Sequence, residues 1–176
     1  SLPRDHPERF VLRLLNTILG EGMSSRLFQE MREKRGLAYQ VESYLEAFYE
    51  TGVMGVYAGV DPQHADQAIR AIIGEWNRMQ EKATTEEELV KAREFVKGRL
   101  LLRMEDTFAV AAWNGQQELL QPEVISVEEV IEALDAVTPA QIQSLAQRLF
   151  LPSKMNLAIV GPFGSPENPE VDRFRN

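Results

Sequence analysis

The sequence predicts an α+β domain, a two-layer sandwich whose mostly antiparallel sheet carries helices on one face. Period-two alternation between residues 39 and 60, interrupted once by "ETG", marks a pair of strands joined as a hairpin. Apolar residues spaced three and four apart, most runs opened by a capping residue, mark helices before and after it. At 176 residues, 44% hydrophobic and 26% charged, the chain suffices for one substantial core and leaves little room for a second.

In "RDHPERFVLRLLNTILG" Asp5 and Glu8 stand at capping-box spacing, and Phe10, Val11, Leu14, Leu15, Ile18 and Leu19 form the apolar stripe of a helix that stops near Gly20. Ser24 or Ser25 caps a second, short helix with Leu27, Phe28 and Met31 inward, and Lys34, Arg35 and Gly36 end it. A strand starts at Tyr39, with Tyr39, Val41, Ser43, Leu45 and Ala47 on one face and Gln40, Glu42 and Glu46 on the other. The next, "VMGVYAGV", turns Met54, Val56, Ala58 and Val60 to one side.

Asp61 and Pro62 open a long helix striped by Ala65, Ala68, Ile69, Ile72, Ile73, Trp76 and Met79. Thr85 and Glu88 form a capping box for another, with Leu89, Ala92, Val96 and Leu100 inward, and a break near Asp106 separates it from "FAVAAWNGQQELL". Ser126 with Glu129, and Thr138 with Gln141, cap two shorter helices, and "KMNLAIVGP" reads as a final strand. The expected order is ααββαααααβ, with residues 1–162 as the domain and the Pro- and charge-rich 163–176 as a tail.

Composition narrows the function classes. Nineteen basic against 27 acidic residues leave a net charge of -8, a field that opposes sequence-independent phosphate binding, so nucleic acid is not an expected partner. No apolar run approaches the roughly 18 residues of a membrane span, so no membrane partner is expected either. The absence of cysteine excludes disulfides, thiolate metal sites and cysteine nucleophiles and fits a reducing compartment, hence an expected cytoplasmic location. Ser1 at the start suggests a processed chain or an excised piece.

The chemistry-bearing residues are few. The two histidines, His6 and His64, each fall in the first turn of an expected helix, outside H-E-x-x-H and H-x-x-E-H, so no metal site is encoded. "GEGMSS" lacks both the lysine of a phosphate loop and the base a serine nucleophile needs, and reads as a helix stop followed by a restart. Glu86, Glu87 and Glu88 suit the positive end of a helix, while Trp76 and Trp113 sit at core spacing. Arg32 and Tyr39 remain: a guanidinium at the edge of a buried stripe and a phenol opening the next strand, either a structural pair or donors converging on one carbonyl or carboxylate.

The stretch "LLNTILGEGMSSRLFQEMREKRGLAYQV" resembles the second-half module of the inverted-motif zinc peptidases, the pitrilysin, insulinase and mitochondrial processing peptidase family. The segment running from "SRLF" through "REKRGLAY" carries the likeness, which in element order reaches from about residue 5 to "LAIVGP". The resemblance implies a processing-peptidase-like (LuxS-like) metallohydrolase fold in a protein of two halves that close around a peptide. It places zinc in a first half carrying H-x-x-E-H, and gives Arg32 and Tyr39 the task of binding substrate beside the scissile bond and assisting the oxyanion.

This chain lacks that zinc motif, and only "SLPR" precedes Asp5 where family modules open with a strand. The expectation is a substrate-binding C-terminal module of a zinc metalloendopeptidase, inactive alone, whose partners are the zinc-bearing half and a peptide. A non-catalytic partner subunit, or a scaffold whose exposed sheet edge assembles complexes, is the alternative; the edge left unpaired by the missing first strand is expected to be open to another copy of the chain, giving a homo-oligomer.

Overall fold

The computed structural model describes residues 1–121 and 123–162. Helix α1, Arg9–Gly20, is followed by a π-helix, Phe28–Lys34, and by strands β1, Ala38–Ala47, and β2, Gly52–Val60. Five α-helices follow among the described residues: α2, Ala65–Glu81; α3, Glu86–Arg103; α4, Thr107–Leu120; α5, Val127–Asp135; and α6, Pro139–Leu149. The α+β class holds, with helices dominating. Among the described residues the sheet is a two-stranded antiparallel hairpin.

The core forms where helical stripes meet the inner face of that hairpin. Leu14, Leu15 and Leu19 of α1, Leu27 and Met31 before and within the π-helix, Val41 of β1, Met79 of α2, Leu89 of α3, and Ile142 and Leu145 of α6 are buried together. Burial of each such side chain contributes about 1.5–3 kcal/mol before conformational entropy is charged against it. The end of α1 packs directly on β1: a methyl group at Gly20 would lie 2.5 Å from the backbone nitrogen of Ser43, whose hydroxyl donates to the Asn16 carbonyl at 2.9 Å. Only glycine fits this crossing.

Most caps form as the sequence dictates. Thr85 with Glu88, Ser126 with Glu129, and Thr138 with Gln141 make complete capping boxes, and the Asp106 carboxylate accepts from the amides of Phe108 and Ala109 at 2.7 and 3.1 Å. Asp61 accepts from Gln63 N–H at 2.8 Å, opening a short 3₁₀ turn, Pro62–His64, before α2 begins.

Four expectations need correction. Asp5 and Glu8 do not form a capping box, because Glu8 sends its carboxylate to Arg148 at 2.5 Å instead. Ser25 is no side-chain cap: its hydroxyl donates to the Gly22 carbonyl at 2.7 Å. The turn it precedes is π-helical rather than α-helical. "KMNLAIVGP" forms no ladder among the described residues; Pro152–Lys154 is a 3₁₀ turn, and the following chain is solvent-exposed at Leu157 and Val160, without a neighbouring strand to complete its hydrogen bonds. The expected tail, 163–176, lies outside the described residues.

Candidate functional site

The junction between the π-helix and β1 carries both side chains singled out by the sequence. Widening the helix brings residues five apart onto one face, and Glu30 uses that spacing: its buried carboxylate accepts from Arg35 Nε at 2.8 Å and Nη2 at 2.5 Å, with Lys34 Nζ at 3.4 Å. The Arg35 hydrogen bond holds the Glu30 carboxyl below the usual glutamate range, against the opposing effect of burial. Arg35 is thereby committed to structure. Gly36, at a φ of 60°, supplies the left-handed residue that ends the turn, and Leu37 N–H donates to the Met31 carbonyl at 2.7 Å.

Arg32 is exposed, with no hydrogen bond or ion pair among the described residues. Its guanidinium lies over the Phe28 ring, 5.1 Å from the centroid, so the half-buried ring is its seat. That contact leaves its N–H donors open.

Tyr39 departs from the alternation expected of β1. The register runs Ala38 opposite Val60 and Gln40 opposite Gly59, so Tyr39 is the extra residue of a β-bulge. Ala38 and Val41 remain buried while Tyr39 is 78% exposed, turned off the core face to which period two assigned it. A bulge re-aims one side chain without disturbing those beyond it. Among the described residues no hydrogen bond links Arg32 to Tyr39; both are open to solvent on consecutive elements, and Leu37 and Ala38 anchor the short connection between them.

Around this junction a set of charges fixes the elements. Arg26, just before the π-helix, forms a fork on Glu88 at 2.7 and 3.0 Å, and the same carboxylate caps Thr85, so the start of α3 is tied to the site. Burial opposes ionisation of Glu88, but the hydrogen bonds from Arg26 and Thr85 prevail and hold its carboxyl below the usual range. Glu75 of α2, only 3% exposed, pairs with Arg78, which also lies 3.9 Å from Glu30; burial pushes the Glu75 carboxyl up, with Arg78 opposing.

Among the described residues no three of His, Cys, Asp and Glu gather closely enough to hold a metal. His6 Nδ1 already accepts from Glu8 N–H at 3.1 Å, and His64 is exposed at the start of α2. The "GEG" turn is likewise structural: Glu21 accepts from Arg13 at 2.8 and 3.0 Å and from Asn16 at 3.0 Å.

Residues 1–96 match the peptidase M16 inactive domain. The chain is also 38% identical over 162 residues, 92% of its length, to a protein of Streptomyces coelicolor named as an uncharacterized zinc protease. The chain belongs to the M16 peptidase family. A Bacillus subtilis relative, again named as an uncharacterized zinc protease, is 34% identical to this M16 module over 160 residues. The module spans 35% and 39% of the lengths of these two relatives.

Among solved structures, a conserved protein from Enterococcus faecalis V583 superposes with a TM-score of 0.77 at 28% identity, over 84% of this chain and 34% of that one. A peptidase M16 inactive domain from Pseudomonas fluorescens shares the fold, with a TM-score of 0.75 at 21% identity over 84% of this chain and 35% of that one. Among the described residues no helix is long and apolar enough to cross a membrane.

Sequence reasoning missed Phe28 as the seat of Arg32, the Glu30–Arg35 pairing, and the bulge. The first two had a signal: Phe28 and Arg32 are four apart, and Glu30 and Arg35 are five apart, a spacing that pairs across a π-turn.

Proposed function

We propose that this module is the substrate-binding, catalysis-assisting half of an M16 zinc metalloendopeptidase, with Arg32 and Tyr39 donating hydrogen bonds to the peptide beside the bond that is cleaved. The observation that carries this reading is that these two donors, exposed and free of polar partners among the described residues, hang from consecutive elements at the two backbone irregularities of the junction. π-turns and bulges are both frequent at functional sites. A guanidinium and a phenol together offer donors to a carbonyl that becomes an oxyanion, the kind of preorganised stabilisation acyl transfer requires.

The metal and the water it activates belong, in this reading, to another half of the protein; among the described residues no three of His, Cys, Asp and Glu gather. The module by itself is then inactive. In this reading "MNLAIV", which forms no ladder among the described residues, joins the sheet of a two-layer sandwich in the assembled protein.

The test is kinetic, in the full-length two-half protein. Arg32→Ala and Tyr39→Phe each lower kcat/KM by about 2–4 kcal/mol of transition-state stabilisation, with a fall in kcat, while the thermal midpoint moves little because both side chains are exposed. Unchanged turnover in both variants rejects the assignment.

A further inference from the structure

We infer that the cleft between α1, α3 and α4 is a binding site for a small amphiphilic oxyanion, an apolar chain carrying a carboxylate head. The cleft has a volume of about 730 Å³, inside the ~300–1,000 Å³ range of small-molecule sites. It is separate from the junction of Arg32 and Tyr39. It exists because α4 stands off the core: Gln117 is the residue of α4 that is buried, and its side-chain amide clamps the chain ahead of α5, donating to the Ile125 carbonyl at 3.1 Å and accepting from its N–H at 2.9 Å.

Charge at the rim runs against the charge of the chain. Arg9 and Arg13 on α1, and Arg99 and Arg103 on α3, all line the cleft, each pair four residues apart on its helix. Like charges at that spacing destabilise a helix, so each pair is a local cost that an anion would relieve. Glu21 answers only part of it, forking with Arg13 and lying 3.9 Å from Arg99. Arg9 rests over the Phe10 ring, 4.5 Å from its centroid, and Arg103 has no ion pair among the described residues. Glu123 is the acidic residue among those lining the cleft.

Beneath the guanidiniums the surface is apolar: Phe10, Leu100 and Trp113 are half-buried and face the cavity. A purely polar anion would leave those walls wet, and an uncharged apolar molecule would leave Arg9 and Arg103 without an anionic partner. A carboxylate on a hydrocarbon chain satisfies both, because guanidinium forks match carboxylate geometry while the chain covers the walls. In a molecule of net charge -8 this recognition must be local, without long-range steering.

Trp113 makes the test direct, since the chain has only one other tryptophan, Trp76, stacked on Phe150 at 5.3 Å. In a Trp76→Phe background, titration with laurate at monomeric concentrations should give a saturable change in Trp113 emission with one laurate per chain. Calorimetric titration of the unsubstituted protein should return the same stoichiometry. Dodecyltrimethylammonium, with the same tail and opposite charge, should bind at least tenfold more weakly. The double substitution Arg99→Gln/Arg103→Gln, at exposed positions, should weaken laurate at least tenfold without altering the far-ultraviolet circular dichroism. Non-saturable uptake, equal binding of the cationic amphiphile, or undiminished binding by the double variant overturns the assignment.

Discussion

Replacing Glu30 by alanine asks whether the π-turn is held by its one buried carboxylate. Glu30 is 7% exposed and takes Arg35 through two hydrogen bonds and Lys34 through one, with Arg78 of α2 at 3.9 Å. Undiscounted, a hydrogen bond to a charged group is worth about 1.5–3 kcal/mol. The side chains of Lys34, Arg35 and Arg78 are 67%, 47% and 56% exposed, so water recovers much of what each cation loses. The net expectation is a loss of about 1–2 kcal/mol, read by urea unfolding at neutral pH with an unchanged m-value.

The same substitution has a pH signature. Because the Arg35 hydrogen bond lowers the folded-state pKa of Glu30, its stabilising effect is present above the ordinary glutamate value of ~4.3 and is lost as pH falls through the lower folded value. The gap between wild type and Glu30→Ala should therefore close on the acid side of that value. A destabilisation under about 0.5 kcal/mol at pH 7, or a gap that persists undiminished into acid, would refute the claim that this carboxylate fixes the turn.

Two further substitutions probe the frame behind the site. Gly20→Ala places a methyl group 2.5 Å from Ser43 N and disturbs the bond from Ser43 to Asn16; overpacking of about 1–3 kcal/mol plus a buried hydrogen bond of about 1 predicts a loss of about 2–4 kcal/mol, and an unchanged melting temperature would show that α1 and β1 part freely. Glu75→Gln tests a carboxyl whose pKa burial raises: ionised Glu75 costs stability that sets in as pH climbs past ~4.3 and levels off above the raised value, so the variant should match wild type near pH 4 and melt higher at pH 8. A lower melting temperature for the variant at pH 8 would mean that its pairing with Arg78 outweighs desolvation.

What the sequence made legible was mostly what depended on neighbours in the chain, the Asp5–Glu8 box and the Ser25 cap excepted. The boxes at Thr85, Ser126 and Thr138 and the stop at Gly36 are local hydrogen-bond chemistry, and all formed. The strand expected at "KMNLAIVGP" failed for the opposite reason, since an apolar extended run becomes a strand only when another strand accepts its ladder. Trp113, at core spacing on α4, lies half-buried against the arginine-lined cleft because α4 is held off the core. At the site, Arg32 and Tyr39 were legible as residues but their presentation was not. A π-turn and a bulge each insert one residue into a regular period, so a reading based on strict alternation assigns Tyr39 to the wrong face.

Both irregularities disturb regular hydrogen bonding, and the chain compensates within a few residues. Glu30 bonds to Arg35 across the widened turn, Leu37 N–H reaches the Met31 carbonyl, Gly36 absorbs the reversal, and Leu37 and Ala38 are buried at the centre. The middle of the junction is therefore fixed at points on both sides of the reversal while Arg32 and Tyr39 project from its two ends. A displacement of about 1 Å can cost two orders of magnitude in rate, so donors meant for a reacting carbonyl need such a mount. A pair serving only to solubilise the surface would need none of it. The burial of Leu37 and Ala38 between them, more than the exposure of the two side chains, is what favours the role proposed for Arg32 and Tyr39.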